Sequence, residues 1–76
     1  MEESKVLANR IKELCEQQGM DYKQLADACE EPSRRMYRIM SGMMNCQNII
    51  TLIRICKALN VSLDEFFDTE EFKEIL

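Results

Sequence analysis

Met20-Asp21-Tyr22-Lys23-Gln24-Leu25-Ala26-Asp27-Ala28-Cys29-Glu30-Glu31-Pro32-Ser33-Arg34-Arg35-Met36-Tyr37-Arg38-Ile39-Met40 is the stretch on which the fold turns. Asp21, with Gln24 three residues on, has the form of a capping box, in which each residue satisfies an orphan amide at a helix start. The short helix it opens carries Leu25, Ala26 and Cys29 on one face. Pro32-Ser33 restarts the chain, because proline suits a first helical turn and serine suits a cap. The next helix turns Met36, Ile39 and Met40 inward and ends at Gly42, which accepts a left-handed backbone at little cost. Two such short helices, separated only by the break at Glu30 to Ser33, read as a helix-turn-helix whose second helix projects as a rod.

Helical spacing continues on both sides, and no strand alternation appears. Ser4 is placed to cap a first helix bearing Leu7, Ile11, Leu14 and Cys15 on one face, with Gly19 as its stop. Met43 to Asn48 reads as a loop. A fourth helix covers roughly Ile49 to Leu59, with Ile49, Leu52, Ile53, Cys56 and Leu59 apolar. Ser62 caps a fifth containing Leu63, Phe66 and Phe67, and Asp68, with Glu71 three residues on, caps a last turn or two carrying Phe72, Ile75 and Leu76. The expected fold is all-α, a compact five-helix domain over residues 1–76, with its core in 4–67 and a short C-terminal helical tail at 68–76. Seventy-six residues leave room for one core and little more. The tail's apolar edge (Phe72, Ile75, Leu76) either folds back on that core or completes a dimer, and the dimer is the expectation.

Composition narrows the function classes. Hydrophobic residues at 46% and charged residues at 32% fit a globular chain and exclude a disordered one. No apolar run approaches the roughly 18–20 residues that span a bilayer, and the acidic start lacks a signal peptide's basic and apolar segments. Cytoplasmic location and no membrane partner are expected. Cys15, Cys29, Cys46 and Cys56 form no C-x-x-C pair and the chain has no histidine, so they read as buried thiols rather than a metal or redox centre. Without histidine or a plausible nucleophile–base pair, no catalytic residue, metal or cofactor is expected.

Charge is unevenly spread. The net charge is −4, yet residues 32–57 hold Arg34, Arg35, Arg38, Arg54 and Lys57 and no acid, while residues 1–31 and 58–76 carry −4 and −5. A cationic segment between acidic flanks can hold a polyanion on one face. On the helix after Pro32, Ser33, Arg34, Tyr37 and Arg38 fall opposite the apolar stripe by the i, i+3, i+4 rule. Such a face near a helix start suits base edges in the major groove, and arginine can donate two parallel bonds to guanine O6 and N7. A solvated helix face touching phosphate or nothing is the alternative. Arg35 points sideways, toward phosphate.

From Asn9 to Phe67 the chain resembles the Cro and lambda-repressor helix-turn-helix family, also called the xenobiotic-response-element family. The matching stretches are Arg10–Leu14, Gly19-Met20-Asp21, Gln24-Leu25-Ala26, Met36–Gly42 and, most specifically, Ile49–Phe67, which is similar to the closing helices of many short bacterial and prophage regulators. The resemblance covers about three-quarters of the chain. It implies sequence-specific binding of double-stranded DNA by a homodimer on an inverted repeat, and control of transcription. It places base reading on Ser33, Arg34 and Arg38, with Tyr37 as an extra contact. It places phosphate contact on Tyr22, with neighbouring Lys23, and on the loop residues Met43, Met44 and Asn45.

Departures from the family pattern are specific. Tyr22 stands where relatives carry a glutamine that braces the reading helix. Glu30 stands at the usual turn glycine, so a left-handed backbone there carries strain. Glu30 and Glu31 would lie near DNA and repel it, and Met43 and Met44 replace basic loop residues. Cys15 and Met40 occupy the place of a buried acid–base pair. Exposed methionines at 43 and 44 would suit an adaptable protein contact. With the acidic pI of 4.8 they support the alternative reading, a protein-binding adaptor or antirepressor built on the same fold, with another protein as its partner.

Overall fold

The computed structural model describes residues 3–43 and 48–75, without the side chains of Glu3, Ser4 and Ile75. The readings placed on Met44, Asn45, Cys46 and Leu76, and on the side chains of Ser4 and Ile75, lie outside the described residues. Those described form six helices and no strand: α1 (Glu3–Gln18), α2 (Tyr22–Cys29), α3 (Ser33–Met40), α4 (Ile49–Ala58), α5 (Leu63–Phe67) and α6 (Glu70–Ile75). The expected all-α architecture is thus the observed one, with the expected tail forming a helix of its own.

Helix starts follow local chemistry. Asp21 accepts from the Gln24 amide at 2.8 Å while the Gln24 side chain accepts from the Asp21 amide at 2.9 Å, the capping box read from the sequence. Ser62 and Glu65 repeat it at α5. Three caps are corrected. Ser4 lies within α1 rather than before it. Ser33 is the first residue of α3, whose cap position is taken by Pro32; its hydrocarbon ring makes no cap bond, and its φ of −61° is fixed by the ring. Asp68 does not cap α6: the Thr69 hydroxyl accepts from the Phe72 amide at 3.4 Å, and Asp68 pairs with Lys73 at 3.4 Å. Asn48, unforeseen, caps α4 by accepting from the Ile50 amide at 2.9 Å.

Helix ends share one device. After α1, α2, α3 and α4 a single residue turns left-handed: Gly19 (φ 68°), Glu30 (58°), Gly42 (79°) and Asn60 (59°). At each, the following amide bonds back across six residues: Met20 to Cys15, Glu31 to Ala26, Met43 to Arg38 and Val61 to Cys56, at 2.9–3.0 Å. These are Schellman closures, which satisfy carbonyls that a helix end leaves without partners. Glycine and asparagine suit that backbone; Glu30 does not.

The core gathers Val6, Ile11, Leu14 and Cys15 of α1 with Leu25, Ala26 and Cys29 of α2, Met36 and Ile39 of α3, Leu52, Ile55 and Cys56 of α4, Leu59, and Phe66 and Phe72. Cys15, Cys29 and Cys56 are buried, as expected. Part of the inward assignment shifts. Val6 and Ala8 are buried where Leu7 was expected, and Ile55 is buried where Ile53 was expected, with Ile53 partly covered. Ile49 and Leu63 are exposed, and Met40 is only partly covered. The α4 stripe runs Thr51, Leu52, Ile55, Cys56, and its isoleucines at 49, 50 and 53 fall off that face.

Long-range bonds tie this core together. Arg10 of α1 donates from Nε to the Phe66 carbonyl at 2.7 Å and from Nη2 to the Glu65 carbonyl at 2.6 Å, so a cation closes the end of α5. The Gln18 side-chain amide donates to the Leu59 carbonyl at the end of α4. Phe72 packs against Phe66 and Phe67, with ring centroids 6.0 and 4.8 Å away. Phe72 therefore belongs to the monomer core, which corrects the expectation that it completes a dimer surface.

Candidate nucleic-acid interface

α2 packs against α3 and α4, and α1 against α3, so α3 is held on its Met36–Ile39 side by two helices. Its other side is open. Ser33, Arg34, Tyr37 and Arg38 are all exposed, Tyr37 by half. Neither Arg34 nor Arg38 forms an ion pair among the described residues. α6 packs against α1, and its Phe72 is committed to the other aromatic rings rather than laid over α3. The face therefore offers two uncommitted guanidinium groups and a phenol within about one and a half helical turns.

Arg35 is different. Its Nε lies 3.9 Å from the Glu31 carboxylate, close enough for an ion pair and too far for a hydrogen bond. Glu31 in turn accepts from the hydroxyl of buried Thr51 at 3.2 Å. Its side chain is only 11% exposed, so the carboxylate expected to face and repel DNA is turned inward, between α3 and α4. The i, i+4 spacing of Glu31 and Arg35 was visible in the sequence; the Thr51 partner, twenty residues away within an apolar run, was not.

Glu30 keeps the left-handed turn that glycine usually supplies, so helix-turn-helix geometry survives the substitution at the expense of backbone strain. The brace at Tyr22 also survives in altered form. The Tyr22 ring meets the Tyr37 ring edge to face, with centroids 5.3 Å apart and planes at 66°. A hydrogen-bonding brace is replaced by an aromatic one, and its partner is Tyr37, on the exposed face of α3. Lys23 Nζ lies 6.0 Å from the Tyr22 ring centroid, at the outer limit of a cation–π contact. Beside this pair a shallow groove of about 250 Å³ is lined by Lys12, Tyr22, Tyr37, Met40 and Ser41. Lys12 and Ser41 were not among the sequence candidates. Met43, at the far end of α3, is 71% exposed, as its loop position suggested.

No helix among the described residues is long and apolar enough to cross a membrane. Neither a curated relative nor a solved structure matches the chain. A helix-turn-helix family model matches residues 11–66, from the middle of α1 into α5, and includes the whole α2–turn–α3 unit. With that match over most of its length, and with the fold and exposed face described, the chain belongs to the Cro and lambda-repressor type of helix-turn-helix family and is a DNA-binding regulator.

Proposed function

We propose that the protein is a repressor-type transcriptional regulator of the cytoplasm that binds an inverted-repeat operator as a homodimer, with α3 in the major groove. Its role is that of a prophage or mobile-element regulator, or of the antitoxin half of a toxin–antitoxin pair. Ser33, Arg34, Tyr37 and Arg38 read base edges; Tyr22, Lys23, Arg35, Met43, Met44 and Asn45 meet the backbone. One observation carries the reading: Arg34 and Arg38 stand exposed on α3 with no ion pair among the described residues, while the neighbouring acid Glu31 is engaged elsewhere. Uncommitted arginines on a braced helix pay no penalty of broken internal pairs when they meet guanine.

Selection of bound fragments from random duplex tests this directly. A recovered site should contain two half-sites about one helical turn apart, and Arg34→Ala or Arg38→Ala should each weaken it by about 1–3 kcal/mol and relax one position per half-site. Recovery of no enriched sequence refutes the proposal. A second reading, the protein-binding adaptor, draws on the exposed apolar side chains Met43, Ile49 and Ile50. It predicts that duplex affinity stays weak even at low salt.

A further inference from the structure

We propose that the groove between Tyr22 and Tyr37 is a seat for one phosphodiester of the DNA backbone, with Lys12 of α1 as its anchor. This inference rests on the DNA-binding reading above and adds a contact from a helix outside the helix-turn-helix unit. The groove is lined by Lys12, Tyr22, Tyr37, Met40 and Ser41, with no carboxylate among the described residues that line it. Lys12 is exposed and forms no ion pair among the described residues. Lys23, outside the groove's lining, places its Nζ 6.0 Å from the Tyr22 ring centroid and adds a second cation near the groove. Charge therefore selects an anion.

Shape selects a backbone linkage rather than a free ion. The floor and walls are largely apolar, Met40 and two aromatic rings, and a bare phosphate would gain nothing from them. A deoxyribose can lie against those surfaces while its 3′ or 5′ phosphate reaches Lys12. Continuity points the same way. Tyr37 is shared between this groove and the reading face of α3, so a strand followed from α3 across Tyr37 arrives at Lys12. A contact of this kind positions the protein without reading sequence.

Each phosphate neutralised steepens the salt dependence of binding by about 0.9 in log–log slope, which amounts to roughly eight-fold in affinity at 0.1 M salt. The test measures affinity of the full chain for its selected duplex across a salt series, for the wild type, Lys12→Ala, and Lys73→Ala as control. Lys73 sits on α6 and already pairs with Asp68. The expected result is a slope shallower by about one for Lys12→Ala alone, with base preference unchanged. Phosphate ethylation interference should lose one position per half-site in that variant. If the wild type binds the duplex and Lys12→Ala keeps both slope and interference pattern, the inference is overturned while the DNA-binding reading stands. An equal change in Lys73→Ala overturns it too, since the effect is then general charge. If the wild type binds no duplex, the reading and the inference fail together.

Discussion

Replacing Glu30 with glycine should raise the stability of this protein, although it removes a side chain. The backbone at Glu30 is left-handed, φ 58° and ψ 37°, and closes α2 with the Glu30 amide 3.2 Å from the Asp27 carbonyl and the Glu31 amide 2.9 Å from Ala26. A side chain in this conformation costs about 1–2 kcal/mol through contact of its Cβ with the carbonyl oxygen. Its negative charge also sits at the negative end of the α2 dipole, worth a further 0.3–1 kcal/mol, roughly, at low salt. Against these gains, glycine frees the unfolded chain by about 0.5–1 kcal/mol. The balance is a gain of about 1 kcal/mol, or roughly 4–8 °C in Tm for a domain of this size. Urea titration of Glu30→Gly, Glu30→Asn and Glu30→Gln separates the causes. Gln should recover only the charge part and lose it in high salt, while Asn, which tolerates this backbone, should recover part of the strain. The reasoning is refuted if Glu30→Gly is no more stable than the wild type, or if Gln matches it.

Three other outcomes follow from the contacts. Arg10→Met should destabilise by about 2–3 kcal/mol in urea, since two α5 carbonyls lose a charged donor and α1 loses its tie to α5. Thr51→Val keeps the shape of the α4 face yet should cost about 1–2 kcal/mol, because the nearly covered Glu31 carboxylate loses its hydroxyl donor; equal midpoints would show that Glu31 is satisfied without it. Burial, and secondarily the charge of Asp21, pushes the Cys15 thiol above its ordinary range. A thiol harder to ionise when folded contributes stability that is intact below about pH 8.5 and lost as pH rises toward its folded value. The urea midpoint should therefore fall less steeply above pH 9 in Cys15→Ala than in the wild type, and parallel curves would contradict this.

The helix-turn-helix was legible because its signals are local: a capping box at Asp21, a proline at the entry of α3, and apolar residues three and four apart. The inward phase of α4 was not. Ile49, Ile50, Ile53 and Ile55 make that helix apolar nearly all round, so spacing alone does not say which side is covered, and packing on α2 chose Ile55. The caps of α4 and α6 were missed or misplaced because several polar residues cluster at each start and only the backbone path decides which side chain reaches the amide.

The candidate site divides along the same line. That Ser33, Arg34, Tyr37 and Arg38 share one face of α3 follows from helical periodicity, which the order of residues determines by itself. Which polar groups on and beside that face remain available was decided in three dimensions. Glu31 was drawn inward by Thr51 of α4, Tyr22 found Tyr37 as its ring partner, and Lys12 of α1 joined the lining of the groove. Periodicity acts over a few residues and is written along the chain. Such pairings join residues ten to twenty-nine positions apart, and only the packing of helices on a common core brings them together.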